Sequence, residues 1–245
     1  MDPAVVIGST GLTGSFIVSN LVAAANAMAV HTISRRSPKT AAAAASQRLH
    51  AVVDADTGAW AAHLAAIRPA PQTVFSALGT TAAQAGGTAN QWKIDHDLNI
   101  ELARAAKAAG ARTFVFMSSA GVDGLLTRHL PYSQMKRGVE DAIRDLGFDN
   151  TVVVRLMLIL GEREQGRFSE GLAQGLARSL PGRLADLWSH DAEIGARAAI
   201  RAAEIAGAGG APSKHWVIEG SEIFRLGRDE WKKESDGTGE GTASS

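Results

Sequence analysis

Apolar residues along this chain fall into short, nearly unbroken runs rich in β-branched side chains, at residues 4–7, 30–33, 50–53, 73–76, 113–117 and 151–155. Between them lie longer stretches rich in alanine, at 12–25, 58–67, 91–109 and 132–146, which predict helices. Strands that are apolar at consecutive positions are buried on both faces, as a parallel sheet covered by helices on each side requires. The alternation therefore predicts an α/β fold with a doubly wound parallel sheet and right-handed crossovers. After residue 155 the rhythm changes. Residues 168–179 and 191–206 predict helices and 215–218 a strand. This last third is too short for a large second unit. Residues 1–231 are thus expected to form one domain, in which 156–231 contribute a small C-terminal substrate lobe. The alanine run at 41–45 reads as a short helix or a loop to which no function is attached, and the tail 232–245, rich in Gly, Ser, Thr and charge, is expected to be disordered.

Composition narrows the choice of chemistry. The chain has 245 residues, 45% of them hydrophobic, enough for a sizeable core. Positive and negative side chains balance at 25 each with no basic block, so nucleic-acid binding driven by bulk charge is not expected. Cysteine is absent, which removes disulfides, thiol nucleophiles and thiolate metal sites. The apolar run begins at Ala4, leaving little room for a targeting peptide. No stretch approaches the ~18–20 apolar residues of a membrane span, so any membrane attachment is expected to be peripheral.

The first run leads directly into Gly8-Ser9-Thr10-Gly11-Leu12-Thr13-Gly14. Glycines at this spacing, between a strand and a helix, allow a tight turn and bring backbone amides close to a pyrophosphate at the helix N-terminus. The sequence thus points to a Rossmann-type dinucleotide site. At the end of the second strand, where a carboxylate would hold the ribose hydroxyls of NAD, the chain has Ser34-Arg35-Arg36. Two guanidiniums and a hydroxyl favour a 2′-phosphate instead, which argues for NADP(H). Asp54 and Asp56 follow the third strand, where a carboxylate can reach the adenine amino group. Ala77-Leu78-Gly79-Thr80-Thr81 follows the fourth, where small residues let a dinucleotide pass. All of these lie at the carboxyl ends of strands, where open parallel sheets bind ligands.

Tyr132, the single tyrosine, stands four residues before Lys136. One helical turn separates them, so both emerge on one face. A phenol ordinarily ionises near pH ~10, and a neighbouring cation favours its ionised form, which makes the pair a proton donor or acceptor for a carbonyl or alcohol. The fifth strand ends in Ser118-Ser119, which would converge on the same place.

With Gly8-x-x-Gly11-x-x-Gly14, Ser118-Ser119 and Tyr132-x-x-x-Lys136 in place, the chain resembles the short-chain dehydrogenase/reductase superfamily, of the extended or atypical kind. It is similar in particular to the fungal mitochondrial Fmp52 family and the related Tat-interacting-protein-type oxidoreductases. Thr32 to Arg36, Ser76 to Thr81, Gly161-Glu162-Arg163-Glu164 and Arg225 to Trp231 carry that likeness, which covers nearly the whole chain to Trp231. The resemblance implies an NADP(H)-binding fold in which Thr10, Gly11, Leu12, Thr13, Arg35 and Arg36 hold the phosphates and Leu78 and Gly79 line the cofactor. Ile159 and Arg167 match further cofactor-side positions. Tyr132 is implied as proton donor, Lys136 as partner of the nicotinamide ribose and the phenol, and one of Ser118 and Ser119, preferably Ser119, as the hydroxyl that polarises the carbonyl. Related enzymes use an asparagine near Asn99, though a helix-surface amide is the expected reading of that residue. Relatives carry Arg-Pro-Gly where this chain has Arg155-Leu156-Met157, which leaves the adjoining loop and the substrate open.

Other signals carry less. Asp95-His96-Asp97 points its side chains in different directions on a helix, so a local charged turn is expected rather than a metal site. Gly-x-Ser-x-Gly is missing, which sets aside a hydrolase. The stripe Phe168, Leu172, Leu176, Leu180 is expected to pack the lobe. The function expected is reduction of a carbonyl, or oxidation of the alcohol, on a small molecule. An NADPH-binding interaction protein with little turnover and a cofactor-retaining isomerase or cyclase remain alternatives. Monomer and homodimer both stay open. The expected location is cytoplasmic, with peripheral attachment to the mitochondrial outer membrane implied by the resemblance.

Overall fold

The computed structural model describes residues 3–24, 29–38, 47–156 and 182–231. Its centre is a seven-stranded sheet, every neighbouring pair parallel, in the order β3-β2-β1-β4-β5-β6-β7. The strands are β1 (Ala4–Ile7), β2 (Val30–Ser34), β3 (Leu49–Val53), β4 (Thr73–Ser76), β5 (Thr113–Ser119), β6 (Asn150–Leu156) and β7 (His215–Glu219). The chain leaves β1 toward β2 and β3 on one side, then returns to build β4 to β7 on the other. That reversal opens a crevice at the carboxyl ends of β1 and β4.

Alternate residues of each central strand feed two cores. Val6, Phe75, Val115 and Val152 pack with Ile17, Val18 and Leu21 of helix α1 (Leu12–Ala23) and with alanines 196, 199 and 203 of helix α5 (Gly182–Gly207). Val5, Ile7, Phe114 and Phe116 face the other way. They pack with Trp60 and Leu64 of α2 (Trp60–Ala66), Leu102 of α3 (Asn99–Ala108), and Val139 and Ile143 of α4 (Pro131–Asp145). Burying each large apolar side chain contributes roughly 1.5–3 kcal/mol, so both sheet faces drive folding. Pro131 at the first turn of α4 has the fixed φ that suits a helix start.

The observed elements depart from the predicted ones where tertiary contacts decide. β3 is an edge strand with mostly exposed or half-buried residues rather than a buried one. The expected helix at 91–109 is interrupted. A short helix, Thr88–Trp92, runs into a π-helical turn, Lys93–Leu98, before α3 begins. β5 and β6 each continue past their predicted ends, pairing Ser118 with Arg155 and Ser119 with Leu156, and the Leu156 carbonyl accepts the Ala120 N–H at 2.8 Å. A proline at 156 would fix φ and remove a backbone donor; with leucine there the strand propagates. The helix predicted at 191–206 starts earlier, at Gly182, and a short helix, Ser221–Phe224, with a π-helical turn, Arg225–Glu230, follows β7. The helix expected at 168–179, the stripe within it, the alanine run and the tail lie outside the described residues.

Candidate functional site

The turn after β1 is packed so closely that only glycine fits. Gly8 has φ +80°, and a Cβ there would lie 2.6 Å from the Ala77 carbonyl oxygen. A Cβ on Gly14 would lie 2.2 Å from the Gly8 carbonyl oxygen. Both glycines are therefore demanded by the approach of α1 to the ends of β1 and β4. Gly11 caps α1 without any side-chain hydrogen bond, so the first-turn amides and the positive end of the helix dipole have no protein cap. Leu12, beside them, is 55% exposed. Uncapped amides behind a glycine turn fit a pyrophosphate.

At the end of β2, Arg35 and Arg36 are exposed, and the Ser34 hydroxyl donates to the Arg36 carbonyl at 2.7 Å. Beyond β3 the Asp54 carboxylate contacts His63 Nε2 at 2.7 Å and accepts the Asp56 amide at 2.8 Å. The His63 hydrogen bond, then that amide, hold the Asp54 carboxyl below the usual carboxylate range. Asp54 is thus engaged by its own loop and by α2.

A cleft of about 380 Å³ runs across the carboxyl end of the sheet. Gly11, Leu12 and Thr13 of the glycine turn line it together with Leu78 and Gly79 beyond β4 and Tyr132 and Lys136 of α4. Ile194, Ile223 and Phe224 add apolar side chains to the lining. Tyr132 and Lys136 are one turn apart on α4, as their spacing predicts. Lys136 is buried. Its Nζ donates to the Met117 carbonyl at 3.2 Å, lies 4.8 Å from the centre of the Phe116 ring, and is 6.0 Å from that of Tyr132. A carbonyl dipole and an aromatic face thus hold the ammonium in place.

The two serines differ. Ser118 lines the cleft, and its hydroxyl donates to Glu140 Oε1 at 2.5 Å. Ser119 is buried, outside the cleft lining, with its hydroxyl 3.4 Å from the Ala120 carbonyl. Glu140 lies one turn beyond Lys136 on α4, and Arg155 Nη2 meets its Oε2 at 2.6 Å. Arg155 also reaches Asp123 at 2.6 Å and Glu219 at 3.7 Å. Burial pulls the Arg155 guanidinium's pKa down, but its bonds to Glu140 and Asp123 outweigh that and raise it above the ordinary value.

Two polar residues behave differently from their predicted roles. Asp95 is 1% exposed and lines the cleft, its Oδ1 accepting the Thr80 amide at 2.7 Å. Asn99, expected on the helix surface, is buried. It accepts the Ser76 hydroxyl at 2.6 Å and donates to the Ile94 and Asp95 carbonyls, each at 3.1 Å. Gln91, Asp95 and Asn99 recur every four residues, a polar stripe that reading Asp95-His96-Asp97 as consecutive residues obscured. Among the described residues no group of three His, Asp or Glu side chains is arranged to hold a metal. Ile159 and Arg167 lie outside the described residues.

Comparison with known proteins agrees with this geometry. Residues 8–178 match the NAD(P)H-binding family. The chain is 54% identical over 237 residues to Protein FMP52, mitochondrial, of Chaetomium globosum, covering 95% of this chain and all of that protein. It is 52% identical over 234 residues to Protein fmp-52, mitochondrial, of Neurospora crassa, covering 93% and 96%. Among solved structures, the UDP-N-acetylglucosamine 4-epimerase of Methanobrevibacter ruminantium aligns with a TM-score of 0.63 at 19% identity, over 89% of this chain and 75% of that one. The Bordetella bronchiseptica enzyme WbmH in complex with NAD+ aligns at 0.55 and 18%, over 73% and 64%. At such identities these two share the fold and nothing finer. The glycine turn, the uncapped helix and the relatives together make this chain a member of the NAD(P)H-binding family and, within it, of the Fmp52 proteins.

Proposed function

We propose that the protein is an NADPH-dependent oxidoreductase that reduces a carbonyl, or oxidises the alcohol, of a small organic substrate. The observation that carries the reading is the convergence of Tyr132, Lys136 and the uncapped first turn of α1 on a single cleft. Amides of the turn from Thr10 to Gly14 hold the pyrophosphate, and Arg35 and Arg36 hold the 2′-phosphate. When bound, the nicotinamide supplies or accepts the hydride. Tyr132 gives its phenolic proton to the carbonyl oxygen as negative charge develops there, or takes it back in the oxidative direction. Lys136, fixed by Met117 and Phe116, sets the field at that phenol. Ser118 lines the cleft but gives its one hydroxyl proton to Glu140, so it polarises the carbonyl only by turning that proton away from the carboxylate, and Ser119 is the other candidate. Ile194, Ile223 and Phe224 add apolar side chains to the cleft, against which the substrate rests.

Tyr132→Phe is the decisive variant. NADPH binding, followed by cofactor fluorescence, stays at the wild-type level. Turnover on a carbonyl panel drops about 10²- to 10⁴-fold, the usual contribution of a positioned acid. Full turnover in that variant sinks the assignment. NADPH binding without oxidation across the panel in the wild type favours an interaction protein instead. The relatives are named mitochondrial, and among the described residues no helix is long and apolar enough to cross a membrane. Peripheral attachment at the mitochondrial outer membrane is the location we propose.

A further inference from the structure

Five large apolar side chains are exposed among the described residues: Leu12, Val53, Leu125, Leu126 and Phe224. Leu12 follows β1, Val53 ends β3, the two adjacent leucines follow β5, and Phe224 follows β7. Every strand is parallel to its neighbours, so all five stand at the carboxyl edge of the sheet, from one border strand to the other. Single exposed leucines are ordinary on a protein surface. Five confined to one edge, around a cleft that Leu12 and Phe224 themselves line, mark a face that meets something apolar.

Leu125 and Leu126 are the extreme case, 79% and 92% exposed in the turn between β5 and α4. That turn is held from several sides. Val122 is buried, and Asp123 pairs with Arg155 at 2.6 Å and with Arg137 at 3.3 Å. The Gly124 carbonyl accepts the Thr127 and Arg128 amides at 3.1 and 2.8 Å, and the Thr127 hydroxyl donates to the Gly121 carbonyl. A turn built this way keeps its leucines in solvent instead of folding them under. Arg128 and His129 follow them, both exposed. Arg128 Nε donates to His129 Nε2 at 3.0 Å, and no carboxylate among the described residues pairs with either.

Two adjacent leucines with a cation behind them fit a lipid surface better than a protein one. A stable protein interface buries about 800 Å² on each partner, far more than one turn offers. A bilayer needs only the side chains, with the leucines in the acyl boundary and the guanidinium among anionic headgroups. We infer that the turn 121–130 docks the protein on an anionic bilayer, Leu125 and Leu126 inserted and the mouth of the cleft turned toward the lipid. The inference rests on the peripheral attachment proposed above and names the surface that makes it; the redox chemistry does not enter.

The full chain, its Leu125→Ser/Leu126→Ser variant and Arg128→Gln are floated with vesicles of phosphatidylcholine and phosphatidylserine in equal parts, and with vesicles of phosphatidylcholine alone. The wild type should bind the anionic vesicles. Loss of the leucines should weaken that binding about tenfold for each. Arg128→Gln should weaken it about fivefold on anionic vesicles and leave neutral ones unaffected. Both variants should keep the wild-type melting temperature and NADPH titration. Because the chain has no cysteine, Leu126→Cys and Ala208→Cys each carry one environment-sensitive dye. Vesicles should shift its emission to the blue at position 126 and not at 208, where α5 has returned to the amino edge of the sheet. Binding that the leucine variant retains, or equal shifts at both dyes, overturns the inference while sparing peripheral attachment. A wild type that ignores both kinds of vesicle defeats the attachment as well. A dimer in sedimentation that the leucine variant abolishes, without vesicle binding, hands the leucines to a second copy of the chain and overturns the inference too. None of these results touches the NADPH reading, which the titration tests separately.

Discussion

Replacing Glu140 by glutamine changes one oxygen to an NH2 group and removes one charge from the interior. Glu140 has 6% of its side chain exposed and receives three hydrogen bonds: one from Ser118 at 2.5 Å and two from Arg155, at 2.6 and 3.3 Å. Breaking a buried ion pair from one side costs about 3–5 kcal/mol, because the remaining charge is stranded. Here the stranded guanidinium keeps Asp123 at 2.6 Å and Glu219 at 3.7 Å, whose side chains are more than half exposed. Those partners offset part of the loss, and glutamine still offers one acceptor. We therefore expect a destabilisation of about 2–3 kcal/mol, below the full buried-pair figure. For a chain of this size that lowers Tm by roughly 4–12 °C. Urea unfolding of the wild type, Glu140→Gln, Arg155→Met and the double variant forms a thermodynamic cycle. A coupling above ~1 kcal/mol is expected for residues that share a network. A Glu140→Gln protein within ~0.5 kcal/mol of the wild type, or additive single effects, would show that the pair does not hold β6 to α4.

Cofactor choice gives a second measurement. Arg35→Ala combined with Arg36→Ala should weaken NADPH binding about tenfold or more while leaving NADH affinity nearly unchanged, since only NADPH has a 2′-phosphate for the guanidiniums to hold; parallel losses for both dinucleotides contradict the assignment. A pH series gives a third. Burial, then His50, lowers the His31 pKa from its ordinary 6.5, and burial, then Arg144, lowers that of His215. The unfolded chain therefore takes up these protons first as pH falls, so stability is full above about pH 6.5 and declines below it. His31→Phe should flatten part of that decline in urea midpoints, and an unchanged acid slope removes His31 from the account.

Much of this was legible before any coordinates. The strand positions follow from β-branched runs, which the sheet buries on both faces in its central strands, and the glycine turn follows from its place between the first strand and the first helix. Tyr132 and Lys136 share a helix face because four residues make one turn. What escaped prediction depends on contacts distant in sequence. The extension of β5 and β6 by two residues and one needs each strand to find the other. The burial of Asp95 needs the π-helical turn at Lys93–Leu98, which no propensity announces, and the Thr80 amide that meets its carboxylate. The commitment of Ser118 to Glu140 joins residues 22 positions apart, so spacing could not rank the two serines.

The strand order has a consequence for how the protein is made. Read in sequence, β2 and β3 attach outward from β1, then β4 takes the free side of β1, and β5, β6 and β7 follow in turn. Every strand joins an existing border, and none is threaded between two partners already paired. A chain emerging from the ribosome can therefore assemble this sheet in the order of its synthesis, each unit settling as it arrives. The glycine turn, Asp95, Tyr132 and Lys136 are all synthesised before Ile223 and Phe224, which line the same cleft, have been translated. The residues proposed to hold the nucleotide are thus older, within the life of each molecule, than the apolar ones proposed to face the substrate.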